Sequence, residues 1–214
     1  MTPGWYFIVV DGVLWTVVVT AGAFALGAAF AVPLCLLRVS RVPVIKIAAS
    51  SLIMFVRSVP PIVWLFLVYF GLGSGPLQVG GAQAAIVALG IVTAANMAEI
   101  YRGALASIHH GQWEACRALN FSSWWTFYDV VAPQLVRVAI PSMATHLIGL
   151  MKDTAIASTV GVADIAFQAN FVSRREFEGL RVFAFAGLLY IFLSVPIAAL
   201  ARYTDAQLRS RVAR

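Results

Sequence analysis

Lys152 and Asp153 stand side by side in a run, Val138 to Ala163, that carries no other charge. A charge at the centre of a membrane-spanning helix costs about 2.5–3.5 kcal/mol on insertion scales, so such residues need a partner or a task. At about 100° per residue, Ser142, Thr145, His146, Gly149, Lys152 and Asp153 fall within an arc of about 120°. Met143, Ala144, Leu147, Ile148, Leu150 and Met151 occupy the other side. A polar stripe of this kind must face protein or a watery path. An ammonium beside a carboxylate suits a zwitterion: Lys152 would attract a carboxylate, and Asp153 an ammonium or a cationic side chain. The alternatives are a structural Lys–Asp contact, or two groups that simply reach the outer interface.

Three further sets of residues bear on chemistry. Arg57 lies eleven residues beyond Lys46, roughly half a bilayer core deep at about 1.5 Å per residue. Pro60-Pro61 follows it and must disturb the helix, because neither proline has an amide to donate. Broken helices persist in lipid only where they line protein or a cavity. Arg57 therefore either binds a carboxylate, snorkels or joins an ion pair. Glu99 and Arg102, three residues apart, pair on one helix face and read as structural or gating residues. His109 and His110 have no neighbouring cysteine or carboxylate cluster, so they read as solvated polar residues and no metal site is expected.

The elements that position these groups are membrane helices. Of 214 residues, 61% are hydrophobic and 11% are charged, against roughly 25% charged in a soluble domain. The net charge of +6 is spread between apolar runs, the membrane pattern and not a nucleic-acid patch. Membrane lipid is the expected surroundings. Five spans are predicted, each near the roughly 20 residues a crossing requires: Gly12–Leu37, Ile47–Leu72, Gly80–Tyr101, Val138–Ala163 and Val182–Ala201. The first follows a segment, Met1 to Asp11, without Lys or Arg, so it reads as a retained helix and not a cleaved signal. Residues 71–76, rich in glycine and ending in Pro76, are a turn signal. Basic residues collect after span one (Arg38, Arg41, Lys46), between spans three and four (Arg102, Arg117, Arg137) and after span five (Arg202, Arg209, Arg211, Arg214). The remaining loop, about residues 159–181, mixes Arg174, Arg175 and Arg181 with Glu176 and Glu178. That asymmetry predicts an outer N-terminus and a cytoplasmic C-terminus. The fold class is thus an all-α membrane protein, a single domain over 1–214, with one patterned loop at about 107–133.

That loop predicts two short helices. Ala106–Leu119 favours a helix, Asn120 sits where a left-handed C-terminal residue belongs, and Ser122 or Ser123 would cap a segment from Trp124 to Val131. Pro133 would fall near the start of the fourth span. A compact pair of helices on the cytoplasmic side suits docking. An interfacial loop with Trp113, Trp124 and Trp125 at headgroup depth fits equally. Cys35 and Cys116 form no C-x-x-C and read as small apolar fillers. No G-x-x-x-x-G-K-[ST] loop occurs, and neither lysine follows such glycines. If transport is powered by ATP, another chain must bind it, and neither a Gly-x-Ser-x-Gly elbow nor a His-Glu-x-x-His marks an enzyme.

The run Glu114-Ala115-Cys116-Arg117-Ala118-Leu119-Asn120, with Val130-Val131-Ala132-Pro133, resembles the EAA motif of bacterial ABC importer permeases: Glu-Ala-Ala, three residues, Gly, nine residues, Ile-x-Leu-Pro. The spacing agrees throughout, with Cys116 for Ala, Asn120 for Gly, Val130 for Ile and Ala132 for Leu. Ala98 to Gly103, Gly111 to Ala115 and Leu150 to Thr154 are similar to the polar amino acid (histidine/glutamine-type) members. Arg57-Ser58-Val59-Pro60 matches their Arg-Gly-Thr-Pro only in part. The resemblance spans nearly the whole chain. It implies a type I importer core of five helices in the bacterial cytoplasmic (inner) membrane, pairing with itself or a similar permease. It implies two ABC ATPase subunits, which would hold ATP and Mg, docked on Glu114 to Asn120 as a coupling helix. It implies an extracytoplasmic substrate-binding protein, and a substrate site at Lys152 and Asp153 with Arg57; Thr154 beside them and His146 on the same stripe complete the expected site. The same machinery carrying an opine or a compatible solute, or a secondary transporter without an ATPase, are the alternatives. No internal repeat of the secondary-transporter kind is found.

Overall fold

A computed structural model describes residues 4–73 and 79–210, with side chains in the last helix described to Thr204. Among the described residues every regular element is helical. The turn expected at residues 71–76 falls largely outside the described residues.

The long first helix, α1 (Trp5–Arg38), buries Val9, Gly12, Thr16, Val19, Ala23, Gly27, Ala31 and Cys35. These recur every three or four residues and make one narrow stripe of mostly small side chains. Small residues let helix backbones approach where lipid supplies no hydrophobic drive. The stripe meets α4 (Gly81–Ala106), which buries Ala84, Ala85, Ala88, Leu89, Gly90 and Thr93. At Gly27 an added Cβ would lie 3.0 Å from the amide nitrogen of Ala94 and closer still to the Thr93 side chain. Only glycine fits that crossing.

Helix α2 (Pro43–Ser58) ends at the proline pair, and α3 (Pro61–Gly73) leaves it at 95°. The expected disturbance is therefore a right-angle corner. Val59, before Pro60, is extended at φ −95°, ψ 131°, as the proline ring demands of its predecessor. Pro60 has no N–H for the Val56 carbonyl, four residues back. The Trp64 indole supplies the missing donor, its Nε1–H bonding Val56 O at 3.1 Å.

Helix α4 runs to Ala106, five residues beyond the expected end at Tyr101, and α5 (His110–Ala118) follows, so no helix joins Ala106 to Leu119. The next helix is one body with the fourth span. Ser123–Trp125 (α6) leads through a wider π-helical stretch, Thr126–Val131, into α7 (Ala132–Asp153). The separate short helix expected over 124–131 is thus the first turns of α7, and Pro133 lies inside a continuous helix. A π-turn widens the helix just where the proline ring would press on the carbonyl of the preceding turn.

The α-helix stops at Asp153. A tighter 3-10 stretch, Thr154–Val160, reaches Gly161 in the left-handed conformation (φ 82°). The expected loop between spans four and five is instead largely helix α8 (Ile165–Glu176), which buries Ile165, Ala169 and Val172 against α1 and α9 (Gly179–Ser210). Three helices, α1, α4 and α9, are each long and apolar enough to cross a membrane. The pairs α2–α3 and α7–α8, if each counts as one bent crossing, bring the number to five.

Candidate functional site

The polar stripe of α7 faces a cavity of about 390 Å³ walled by α4, α7 and the α2–α3 corner. Thr145, His146, Gly149 and Asp153 come from α7, Thr93 and Asn96 from α4, and Arg57 from the last turn of α2. A second hollow of about 410 Å³ shares Arg57, Asn96 and His146 and adds Ser142, Glu99 and Arg102. Arg57 therefore stands between two adjoining spaces.

The corner explains why Arg57 is there. Ending α2 at Ser58 leaves the guanidinium at the helix terminus, against α4. Its Nε donates to Asn96 Oδ1 at 3.0 Å. Asn96 is held in turn, its Nδ2 donating to Val92 O at 2.9 Å. Its amide thus spends its donor within α4 and turns its acceptor to the arginine. The terminal nitrogens of Arg57 make no hydrogen bond to a described residue, so a planar pair of N–H donors is available to a carboxylate. Thr93 Oγ1 and His146 Nε2 are buried without a hydrogen-bond partner. Buried polar atoms in that condition call for water or a ligand group.

Of the residues assigned to substrate from sequence, Arg57, His146 and Asp153 meet at the first cavity. Lys152 is exposed beside Asp153 and does not line that cavity. Successive helical positions point about 100° apart, so neighbours seldom share a wall. Thr154 is fully buried and its hydroxyl donates to Met151 O at 2.8 Å, which turns it into the protein and away from the cavity.

Glu99 and Arg102 pair as expected, Arg102 Nε to Glu99 Oε2 at 2.8 Å. The second carboxylate oxygen meets Arg38 Nε at 3.2 Å. One carboxylate between two guanidinium groups ties the end of α1 to the end of α4. The partnership with Arg38 spans 61 residues and carries no sequence signal.

The loop expected to dock is held by local hydrogen bonds. His109 caps α5, its Nδ1 accepting from Gly111 N at 3.1 Å, and His110 meets Glu114 Oε1 at 3.0 Å. Asn120 takes the left-handed conformation (φ 57°). Phe121 N bonds Cys116 O at 2.9 Å and Asn120 N bonds Arg117 O at 3.0 Å, the paired bonds of a Schellman stop. Ser122 then caps α6 through Trp125 N at 3.3 Å. Glu114, Ala115, Arg117, Ala118, Leu119 and Asn120 are exposed, whereas Cys116 is buried. The thiol is the anchor of α5, and the other residues of the motif form its outer face.

Sequence reasoning missed a second polar cluster. Asp164, fully buried, caps α8 through Phe167 N at 2.8 Å, and its Oδ2 has no partner. Thr16 of α1 accepts from Ile165 N at 3.2 Å and donates to Gly12 O at 3.1 Å. A Cβ on Gly12 would lie 2.5 Å from the Asp164 carbonyl carbon. The signal available was an aspartate just past the edge of an apolar run, followed by a helix-forming stretch.

Residues 13–210 match the family model described as binding-protein-dependent transport system inner membrane component. The chain is 31% identical over 195 residues to the probable glutamine ABC transporter permease protein GlnM of Bacillus subtilis (strain 168), covering 91% of this chain and 88% of the relative. Among solved structures it is similar to an amino acid ABC transporter crystallised with histidines, at TM-score 0.85 and 26% identity over 94% of each chain. The fold is also that of the inward-facing MetNI methionine ABC transporter, at TM-score 0.81 and 22% identity over 97% of this chain and 99% of the other. A family match across almost the entire chain and an architecture shared with two such transporters agree with the helical core and its polar cavity: the chain belongs to the inner-membrane components of binding-protein-dependent transport systems, as a permease of the amino acid ABC type.

Proposed function

We propose that the chain moves polar amino acids inward across the bacterial inner membrane by alternating access, driven by separate ATPase subunits. The observation that carries the reading is the cavity in which the Arg57 guanidinium and the Asp153 carboxylate share a wall with His146 and Asn96. Opposite charges around one polar space complement the two ends of an amino acid. Arg57 takes the α-carboxylate in this reading, and Asp153 the ammonium or a cationic side chain. Lys152, exposed on the same turn, adds positive potential nearby.

The five crossings are α1, the bent α2–α3 pair, α4, α7 with its 3-10 extension, and α9, with the N-terminus outside. The exposed face of α5, from Glu114 to Asn120, receives the ATPase, which holds ATP and Mg. Two permease chains, identical or similar, enclose the pathway, and an extracytoplasmic binding protein delivers the solute. Closure of the ATPase pair displaces α5 and biases the helices between two discrete arrangements.

The test is reconstitution of the chain with its cognate ATPase and binding protein in liposomes, followed by uptake of labelled amino acids. Accumulation of a polar amino acid should require ATP and stop with Asp153→Asn in an otherwise intact assembly. Accumulation without ATP would favour a secondary transporter. ATP-driven uptake of an opine or compatible solute alone would displace the amino acid assignment.

A further inference from the structure

A groove of about 240 Å³ runs between α7 and α9, on the far side of α7 from the polar cavity. Its walls are Ile140, Met143, Ala144 and Leu147 from α7, with Ile197, Leu200, Ala201 and Thr204 from α9 and Phe24 at its back. The α9 residues fall at i, i+3, i+4 and i+7, one continuous stripe. Thr204 adds no polarity, because its hydroxyl bonds the Leu200 and Ala201 carbonyls at 2.9 Å each and leaves its methyl to the groove.

Just beyond the lining, the α7 side of the groove continues into a cation. Arg137 lies one turn before Ile140. At about 100° per residue it falls within the same roughly 120° arc as Ile140, Met143, Ala144 and Leu147. Its Nε is buried with no hydrogen-bond partner, and no ion pair joins it to another described residue. Arg202, exposed, lies toward the same end on α9. An uncompensated guanidinium at the mouth of an apolar trough complements an anion that carries a hydrocarbon chain. In the topology proposed above this end faces the cytoplasm, where basic pockets between helices meet anionic headgroups.

We propose that the groove seats a phospholipid of the inner leaflet, its acyl chain lying along α7 and α9 and its phosphate accepting hydrogen bonds from Arg137. A resident lipid would complete the packing of α7 against α9 and supply the acceptor that Arg137 lacks.

The experiment is native mass spectrometry of the whole transporter, released from detergent after incubation with phosphatidylglycerol. Wild type should retain one lipid per copy of this chain at collision energies that strip annular lipid. Arg137→Gln, which removes the charge, and Ala144→Leu, which fills the groove, should each lower that occupancy at least fivefold. Arg137→Lys should keep it, since a phosphate accepts a point charge, and this variant separates lost contact from lost assembly. Equal occupancy in wild type and both losing variants would overturn the proposal, as would loss in only one of them. A disulfide joining two copies through Ala144→Cys would also overturn it, by showing that protein covers the groove.

Discussion

Replacing Arg57 by Gln tests the cavity directly. The arginine is fixed through Nε by Asn96 at 3.0 Å, which leaves its terminal nitrogens for a carboxylate. A hydrogen bond to a charged group contributes about 1.5–3 kcal/mol. Losing the equivalent of one such bond should weaken binding roughly 10- to 150-fold, at 1.4 kcal/mol per factor of ten. Arg57→Lys keeps the charge but not the planar fork, so its affinity should fall between the two. Asn96→Ala should cost less than Arg57→Gln, because it frees the guanidinium without removing it. The assay is equilibrium binding of the labelled amino acid to the assembled transporter in detergent, without the soluble binding protein, whose own affinity would mask the change. Size-exclusion chromatography checks that assembly persists. An intact Arg57→Gln assembly that binds within twofold of wild type would refute the carboxylate role.

Other consequences follow from the described geometry. Glu114→Arg reverses a charge on the exposed face of α5, and copurification of the ATPase subunits should be lost while the permease still folds. Asn120→Val places a β-branched side chain at φ 57°, a conformation that costs about 1–2 kcal/mol; ATPase association should weaken, whereas Asn120→Gly should retain it. Gly27→Val forces a side chain into Thr93 and the Ala94 amide, where overpacking costs about 1–3 kcal/mol. Its thermal unfolding midpoint should drop clearly below that of Gly27→Ala.

The long helices α1, α4 and α9 were legible because each holds an apolar run long enough for a bilayer crossing, and the α2–α3 break was legible because proline cannot donate. The Schellman stop at Asn120 and the cap at Ser122 were legible as local backbone chemistry. The angle of the corner was not, since it is set by Trp64 reaching back to Val56 as much as by Pro60. The stripe on α7 was readable from periodicity, but its last two charges could not be apportioned. Both fall inside the arc, Asp153 between Ser142 and His146 and Lys152 at its edge, and only Asp153 reaches the cavity. Thr154 was misplaced because at about 100° per residue it falls outside the polar arc, where it is buried with its hydroxyl on Met151 O. Helix α8 was hidden by Arg174, Arg175 and Glu176 at its end, which suggested a loop, although Ile165, Ala169 and Val172 recur at helical spacing. The pairing of Arg38 with Glu99 and the contact of Thr16 with Ile165 join distant segments and have no local trace.

The bond from the Trp64 indole to the Val56 carbonyl has a bearing on the proposed carboxylate site. A bare carbonyl at the corner would draw water in and leave the backbone beside Arg57 free to wander. With that oxygen occupied from within, the residue next to Arg57 is tied across the bend to α3. In the proposed reading, a solute carboxylate bound at Arg57 would have less loose structure to freeze, so discrimination between similar carboxylates would rest on shape and not on induced order.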